Sequence, residues 1–76
     1  MDWKERIVVD PAIQGGHAVI KGTRVPVVVI LGGLAGGDSI QDICEGYLIA
    51  EDDVRAALAY ATDLVAQERL NAVRSG

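Results

Sequence analysis

Two short runs of β-branched residues near the start of the chain predict a β-hairpin. Ile7–Val9 is followed by an Asp-Pro pair, and Ala18–Ile20 is followed by a Lys-Gly pair. Between the two runs, Gly15 and Gly16 can adopt the positive φ angles that a turn needs. Strands of three residues are not stable alone, so the hairpin has to pack on helices or pair with the edge of another chain.

The apolar stretch that follows is compatible with a strand or a helix. Residues 25–31 are rich in β-branched side chains, whereas Pro26 is suited to the first position of a helix. We favour a helix to residue 35, which the glycine pair at positions 36 and 37 ends with a left-handed cap. Gly32 and Gly33 weaken this helix by roughly 1 kcal/mol each relative to alanine. Either another backbone approaches them closely or the fold tolerates them.

A second helix is predicted to begin after Ser39. The hydroxyl of Ser39 and the carboxylate of Asp42, three positions later, have a spacing like that of a capping box. Apolar residues then recur at intervals of three and four, which gives this helix one face suited to a core. The residues of this face are Ile40, Ile43, Cys44 and Tyr47.

A third and longest helix is predicted from Glu51 to about Leu70, with a frayed tail over residues 71–76. Helices two and three, joined by residues 48–50, have the outline of a helix-turn-helix unit. The pattern as a whole predicts a mainly α fold with three helices after a short N-terminal β-hairpin. The apolar stripe of the third helix is predicted to consist of Val54, Ala57, Leu58, Ala61, Leu64 and Val65.

Length and composition restrict the chain to one small domain, which we place at residues 1–70. The chain has 76 residues, half of them hydrophobic, and a single cysteine, so it forms no internal disulfide. A domain of this size buries only about 60% of its unfolded surface and is marginally stable without a staple or a partner. We therefore expect a second protein chain, most simply in a homodimer formed through the hairpin edge or the first helix.

Charge is distributed unevenly along the chain. Residues 1–37 carry four basic and three acidic side chains, whereas residues 38–76 carry three basic and eight acidic ones. The net charge of −4 therefore comes from the second half. An acidic surface repels phosphate, which disfavours DNA as a partner of that half.

No metal, cofactor or membrane is predicted to take part in the function. His17 is the only histidine and stands 27 positions from Cys44, so no spacing typical of metal ligands is present. We interpret His17 as a solvated loop residue and Cys44 as a small buried hydrophobe. The longest uncharged stretch has 13 residues, too few to span a bilayer, and the charged start does not look like a signal peptide. With the lone thiol, this predicts a cytoplasmic protein.

These pieces, in this order, resemble a known family, the domain of unknown function 433. The resemblance covers residues 7–60, and its most specific part is Ile-Lys-Gly-Thr-Arg-Val-Pro-Val at positions 20–27. Leu-Ala-Gly-Gly-Asp-Ser at 34–39 and Asp-Val-Arg-Ala-Ala-Leu-Ala-Tyr at 53–60 complete it. It implies a homeodomain-like three-helix fold after a hairpin, an often dimeric antitoxin, and a PIN-type nuclease toxin as partner. The chain departs from the family pattern at Leu48, where a proline is usual, and at Ala50, where a Ser/Thr cap is usual.

The Lys-Gly-Thr-Arg segment at positions 21–24 does not have the residue order of a phosphate-binding P-loop. We interpret it as a tight turn from strand to helix, in which a glycine provides a positive φ and a threonine caps backbone donors. The predicted turn and cap residues are Gly16, Gly22, Thr23, Pro26 and Ser39.

Two sets of charged residues are candidate contacts. The acidic set can face a toxin by imitating phosphate, or can simply stabilise the start of the third helix. The basic set can contact a partner or nucleic acid, although Arg24 can instead lock the hairpin to a carboxylate such as Asp10. The acidic set is Glu51, Asp52 and Asp53, and the basic set is Lys4, Arg6, Lys21 and Arg24.

The resemblance leads us to expect an antitoxin-like protein that neutralises a nuclease toxin. We expect it to be non-catalytic, because no pair of carboxylates has a spacing that demands catalysis. The alternative is a DNA-binding regulator, and such a protein can repress its own operon through the helix-turn-helix unit. This alternative would bring three carboxylates at the start of the recognition helix against phosphates, which electrostatics opposes.

Overall fold

The computed structural model describes the backbone of residues 1–75 and the side chains of residues 1–68. Two strands are followed by three helices, which confirms the predicted fold class. A 3₁₀ turn at Trp3–Glu5 precedes the first strand, and a second one at Gln14–Gly16 lies between the strands. The elements are β1 (Ile7–Val9), β2 (Ala18–Ile20), α1 (Val27–Ala35), α2 (Ile40–Tyr47) and α3 (Glu51–Ser75).

The hairpin is antiparallel and contributes one of its faces to the core. Ile7 pairs with Ile20, and both are buried. The connecting segment turns through Gly15 and Gly16, whose φ angles are +66° and +89°. The predicted hairpin is therefore confirmed.

A tight turn connects β2 to α1 and pairs back onto β2. The Thr23 hydroxyl donates to the Ile20 carbonyl at 2.7 Å and accepts from the Val25 amide at 3.0 Å. Gly22 has a φ of +78°, as a turn of this kind requires. The prediction for Pro26 is wrong in one respect at this turn. Pro26 is extended, with ψ 142°, and forms a bridge with Val19, so it caps α1 instead of being its first residue. Proline has no backbone N–H, and neither of these positions needs one for a hydrogen bond within the helix.

The capping box predicted for α2 is present in both directions. The Asp42 amide donates to Ser39 Oγ at 3.0 Å, and the Ser39 amide donates to Asp42 Oδ2 at 3.2 Å. Two of the backbone donors that a helix start leaves unpaired are thereby satisfied. The boundary between α1 and α2 is therefore determined by side chains that lie within a few residues of it.

A single core joins the hairpin to all three helices. Ile30 of α1 lies at its centre with no exposed surface. Every element except the two 3₁₀ turns places at least one fully buried side chain in it, so no element is stable without the others. The core cluster consists of Ile7, Ile20, Val27, Ile30, Ile43, Val54, Ala56 and Ala57.

Two predictions for α3 need correction. The helix extends to Ser75, beyond the expected end at Leu70, because no glycine or proline interrupts residues 51–75. Residues 71–75 of the expected tail are therefore helical, and Gly76 lies outside the described residues. The predicted stripe is buried only in part, since Leu58 is 41% exposed while Ala56, which was not in the stripe, is fully buried.

A side chain at position 33 would crowd α2, whereas one at position 32 would not. A methyl group at position 33 would lie 2.6 Å from Ile43 Cδ1, but one at position 32 would meet nothing within 4 Å. We expect Gly32→Ala to raise the free energy of unfolding by about 1 kcal/mol through helix propensity. Gly33→Ala should lose that gain and be less stable than Gly32→Ala by about 1–3 kcal/mol. Urea denaturation of both variants tests this, and equal stabilisation would show that Gly33 is merely tolerated.

Candidate protein-interaction surfaces

The acidic start of α3 is tied to the N-terminal segment. Asp53 Oδ2 accepts the Ala50 amide at 3.0 Å, which is one half of a capping box; the other half is missing because alanine has no side-chain acceptor. Asp53 Oδ1 accepts Arg6 Nη1 at 3.0 Å. Arg6 and Asp53 were candidates for external contacts, yet the structure pairs them with each other across 47 positions of sequence.

Removal of the Asp53 carboxylate is expected to destabilise the protein by about 1–2 kcal/mol. Asp53→Ala leaves the Ala50 amide uncapped and deprives Arg6 of its closest partner. Asp52→Ala is the matched control, because Asp52 is half exposed and lies 3.7 Å from Arg6, where an ion pair contributes less than about 1 kcal/mol. Chemical denaturation should rank the two variants in this order. The same loss in both would assign the effect to overall charge instead of to the cap.

The other two members of the acidic set remain at the surface. Glu51 accepts Arg55 Nη2 at 2.6 Å, and Asp52 lies 3.9 Å from Arg55 Nη1. Glu51 and Asp52 are exposed, and each has an arginine nearby. They therefore present acceptor oxygens to a partner, although the nearby guanidinium groups of Arg6 and Arg55 offset part of their negative charge.

Three of the four predicted basic contacts are exposed. Lys4, Lys21 and Arg24 form no ion pair with a carboxylate among residues 1–68. The proposed lock between Arg24 and Asp10 is not found there, and Asp10 Oδ1 accepts the Ala12 amide at 2.9 Å in a local turn. Lys21 and Arg24 flank the β2–α1 turn, and Lys21 lines an open pocket together with Glu5, Arg6 and Asp53, so it lies beside the start of α3.

The corner between α2 and α3 presents an unusual leucine that the sequence analysis did not single out as a contact. Leu48 adopts the left-handed conformation, with φ 57° and ψ 47°, and is 90% exposed. The amides of Leu48 and Ile49 both donate to the Cys44 carbonyl, which ends α2 and directs Ile49 into the core. The signal was available, since Leu48 stands where the resembling family usually has a proline. We call Glu45, Tyr47, Leu48, Glu51 and Asp52 the α2–α3 corner.

A second exposed apolar surface lies between α1 and α3. Val28 and Leu31 of α1 face Tyr60 and Leu64 of α3 across an open groove of about 260 Å³. His17 lies at the groove and is exposed, as expected of a loop residue. Few of the residues that line this groove carry the polar groups that a catalytic pocket uses.

Other chemistry is sparse in the described part of the chain. Cys44 is a free, half-buried thiol that packs against the core. No group of three or more His, Cys, Asp or Glu side chains within residues 1–68 is arranged to hold a metal ion. Among the described helices, none combines the length and the hydropathy needed to cross a membrane.

The chain is thus a small hairpin and three-helix domain with two exposed apolar surfaces. The sequence model of the family described as "Protein of unknown function (DUF433)" matches residues 7–61, and the chain belongs to this family. The crystal structure of Rv2018 from Mycobacterium tuberculosis is similar, with 35% sequence identity and a TM-score of 0.62. The match covers 68% of this chain and 24% of Rv2018, so the chain spans about a quarter of that protein's length. No curated protein matches the chain significantly.

Proposed function

We propose that this chain is a protein-binding module of the antitoxin type, which works in the cytoplasm and neutralises a PIN-type nuclease toxin by direct contact. The observation that carries the proposal is the exposed, left-handed Leu48 at the α2–α3 corner. The proposed module is not an enzyme: it acts by covering a surface of its partner.

The fold needs a left-handed residue at position 48 but does not need a leucine there. A left-handed non-glycine residue is disfavoured by roughly 1–2 kcal/mol, and glycine would end α2 without this penalty. The Leu48 side chain contributes almost nothing to the core, because 90% of it is exposed. Backbone strain together with an exposed leucine is typical of a residue that contacts another molecule.

The surroundings of Leu48 favour a basic partner. Tyr47 is also exposed and adds an aromatic side chain to the leucine, while the exposed carboxylates of Glu45, Glu51 and Asp52 lie within five positions of the pair in the sequence. An apolar anchor inside a polar rim is the usual anatomy of a protein interface. A cleft that binds nucleic acid is lined by Lys and Arg, so a nuclease offers the complementary charge.

The DNA-binding alternative is less well supported by the same contacts. A recognition helix would bring Glu51 and Asp52 close to phosphates, and Arg6 is held by Asp53. Of the predicted basic set, Lys4, Lys21 and Arg24 remain for phosphates. A DNA titration over a salt series tests this role: tight binding at low salt that weakens steeply as salt rises would favour it over toxin binding.

The proposal predicts that a neighbouring reading frame encodes a nuclease-like protein, and it is tested by co-expressing that protein with this chain and assaying complex formation and nuclease inhibition. We expect Leu48→Asp to weaken the complex by about 30-fold or more, as loss of an interface anchor does. Leu48→Gly should also weaken binding while raising the free energy of unfolding by about 1 kcal/mol, so misfolding cannot explain the loss. Val9→Asp, at an exposed apolar position of the hairpin, is the matched control.

These assays test the proposed function and the proposed binding surface separately. A wild-type chain that neither binds nor inhibits the nuclease would overturn the proposed function. A complex that tolerates both Leu48 variants as well as it tolerates Val9→Asp would keep the function but remove the α2–α3 corner from it.

A further inference from the structure

The segment that precedes β1 contacts α3 at two separate points. Arg6 Nη1 donates to Asp53 Oδ1 at 3.0 Å, in the first turn of the helix. Trp3 Nε1 donates to Asp63 Oδ2 at 2.6 Å, about 15 Å further along the helix. The Trp3 ring also meets the Tyr60 ring edge-on, with the two centroids 4.8 Å apart.

Arg6 is the fixed end of this segment. Its carbonyl accepts the Lys21 amide at 2.8 Å, so its backbone is bonded to the residue that follows β2. Its guanidinium is held by Asp53, and the next residue, Ile7, is buried in the core. Any movement of the segment has to take place on the N-terminal side of Arg6. We call residues 1–5 the strap.

The strap has its own internal hydrogen bonds and depends on one side chain for its place on α3. Asp2 Oδ1 accepts the Lys4 amide at 3.0 Å, and the Trp3 carbonyl accepts the Arg6 amide at 2.9 Å. In the described part of the chain, the bond from Trp3 to Asp63 is the only hydrogen bond that joins the strap to a residue beyond Arg6. Trp3 is also the only strap residue that is not exposed. A unit attached in this way opens more easily than the core.

Trp3 covers apolar surface beside the groove between α1 and α3. Its ring packs against the core cluster. Tyr60, the residue on which it stacks, also lines the groove. Departure of Trp3 would therefore uncover part of Tyr60 and enlarge the apolar surface that the groove presents to solvent.

We infer that the strap is a reversible cover, which closes on α3 through Trp3, opens at Arg6 while the core stays folded, and so regulates how much apolar surface adjoins the groove. The strap and its anchor Asp63 both lie outside residues 7–61, the segment that the family model matches. The inference does not rest on the proposed function, because neither Trp3 nor Asp63 belongs to the α2–α3 corner.

Fluorescence tests the inference, because Trp3 is the only tryptophan of the chain and its emission reports on the strap. In a urea titration of the full chain, we expect the Trp3 emission to change at a lower urea concentration than the helical circular dichroism does. Asp63→Ala should raise the open fraction by about 3- to 10-fold, the usual effect of losing one hydrogen bond, and should move the fluorescence transition to lower urea. The helical signal should not fall, because alanine has a higher helix propensity than aspartate.

Asp63→Asn is the matched control, because its amide oxygen can still accept the indole N–H and keep the strap closed. The dye ANS, which binds exposed apolar surface, provides a second measurement. Its emission should be stronger with Asp63→Ala than with Asp63→Asn, since only the alanine variant is expected to uncover the surface beneath Trp3.

Two results would overturn the inference. One is a wild-type chain whose fluorescence and circular dichroism transitions coincide, since the strap would then unfold together with the core. The other is an Asp63→Ala variant whose Trp3 emission and ANS signal equal those of Asp63→Asn, since the bond between Trp3 and Asp63 would then not hold the strap. Failure of toxin binding in the assays above leaves both measurements unaffected.

Discussion

Replacing Ile30 with alanine is expected to lower the free energy of unfolding by about 3–5 kcal/mol. Ile30 is 0% exposed and lies in the core that joins the hairpin to all three helices. Loss of three carbons there removes transfer free energy and leaves a cavity that neighbouring side chains fill only partly. A domain of 76 residues has roughly 4–11 kcal/mol of stability in total, so the variant should lose at least about a quarter of it.

The control for this prediction is Leu48→Ala, which removes the same number of carbons from a side chain that is 90% exposed. Its unfolding free energy should change by less than about 0.5 kcal/mol. Urea denaturation followed by circular dichroism measures both variants. Equal midpoints for Ile30→Ala and wild type would contradict the single-core description of this fold.

The elements predicted correctly are those that local chemistry determines. The hairpin follows from two β-branched runs around a glycine turn, and α2 begins where the Ser39 hydroxyl and the Asp42 carboxylate form a capping box. The choice of a helix over a strand for α1 was also correct. In each case the decisive residues lie within a few positions of the boundary they determine.

The interactions that sequence reasoning missed join residues far apart in the chain. No spacing rule pairs Arg6 with Asp53, and only the folded chain shows that this pair withdraws both residues from the candidate contacts. The Leu48 conformation is similar in origin: α2 must end so that Ile49 enters the core, and the outward direction of Leu48 follows from that. In the sequence, the only sign of this conformation is that Leu48 departs from the family pattern.

The assignment of the α3 stripe shows a different limit. A period of 3.6 residues indicates which side chains share a face, but it does not indicate which part of that face other elements cover. β1, α1 and α2 cover Val54 and Ala57, while Leu64 and Val65 lie beyond them. The part of the stripe that contains Leu64 and Val65 is therefore left exposed.

Replacing Ala57 with leucine is expected to destabilise the protein by about 3 kcal/mol, whereas Leu58→Ala should change the free energy of unfolding by less than about 1 kcal/mol. Ala57 is fully buried, so three added carbons have to displace core side chains. Leu58, its neighbour, is 41% exposed and has less apolar area to lose. Hydrophobicity alone predicts the reverse order, because it treats the leucine as the core residue.

Thermal or urea denaturation of the two variants decides between these orders. At about 3 kcal/mol, Ala57→Leu should melt more than 10 °C below the wild type, since 1 kcal/mol shifts the melting temperature of a domain this small by about 4–8 °C. If Leu58→Ala were the less stable variant, α3 would have to be rotated about its axis relative to the structure. Leu64 and Val65, which are 48% and 61% exposed, would then turn toward the core.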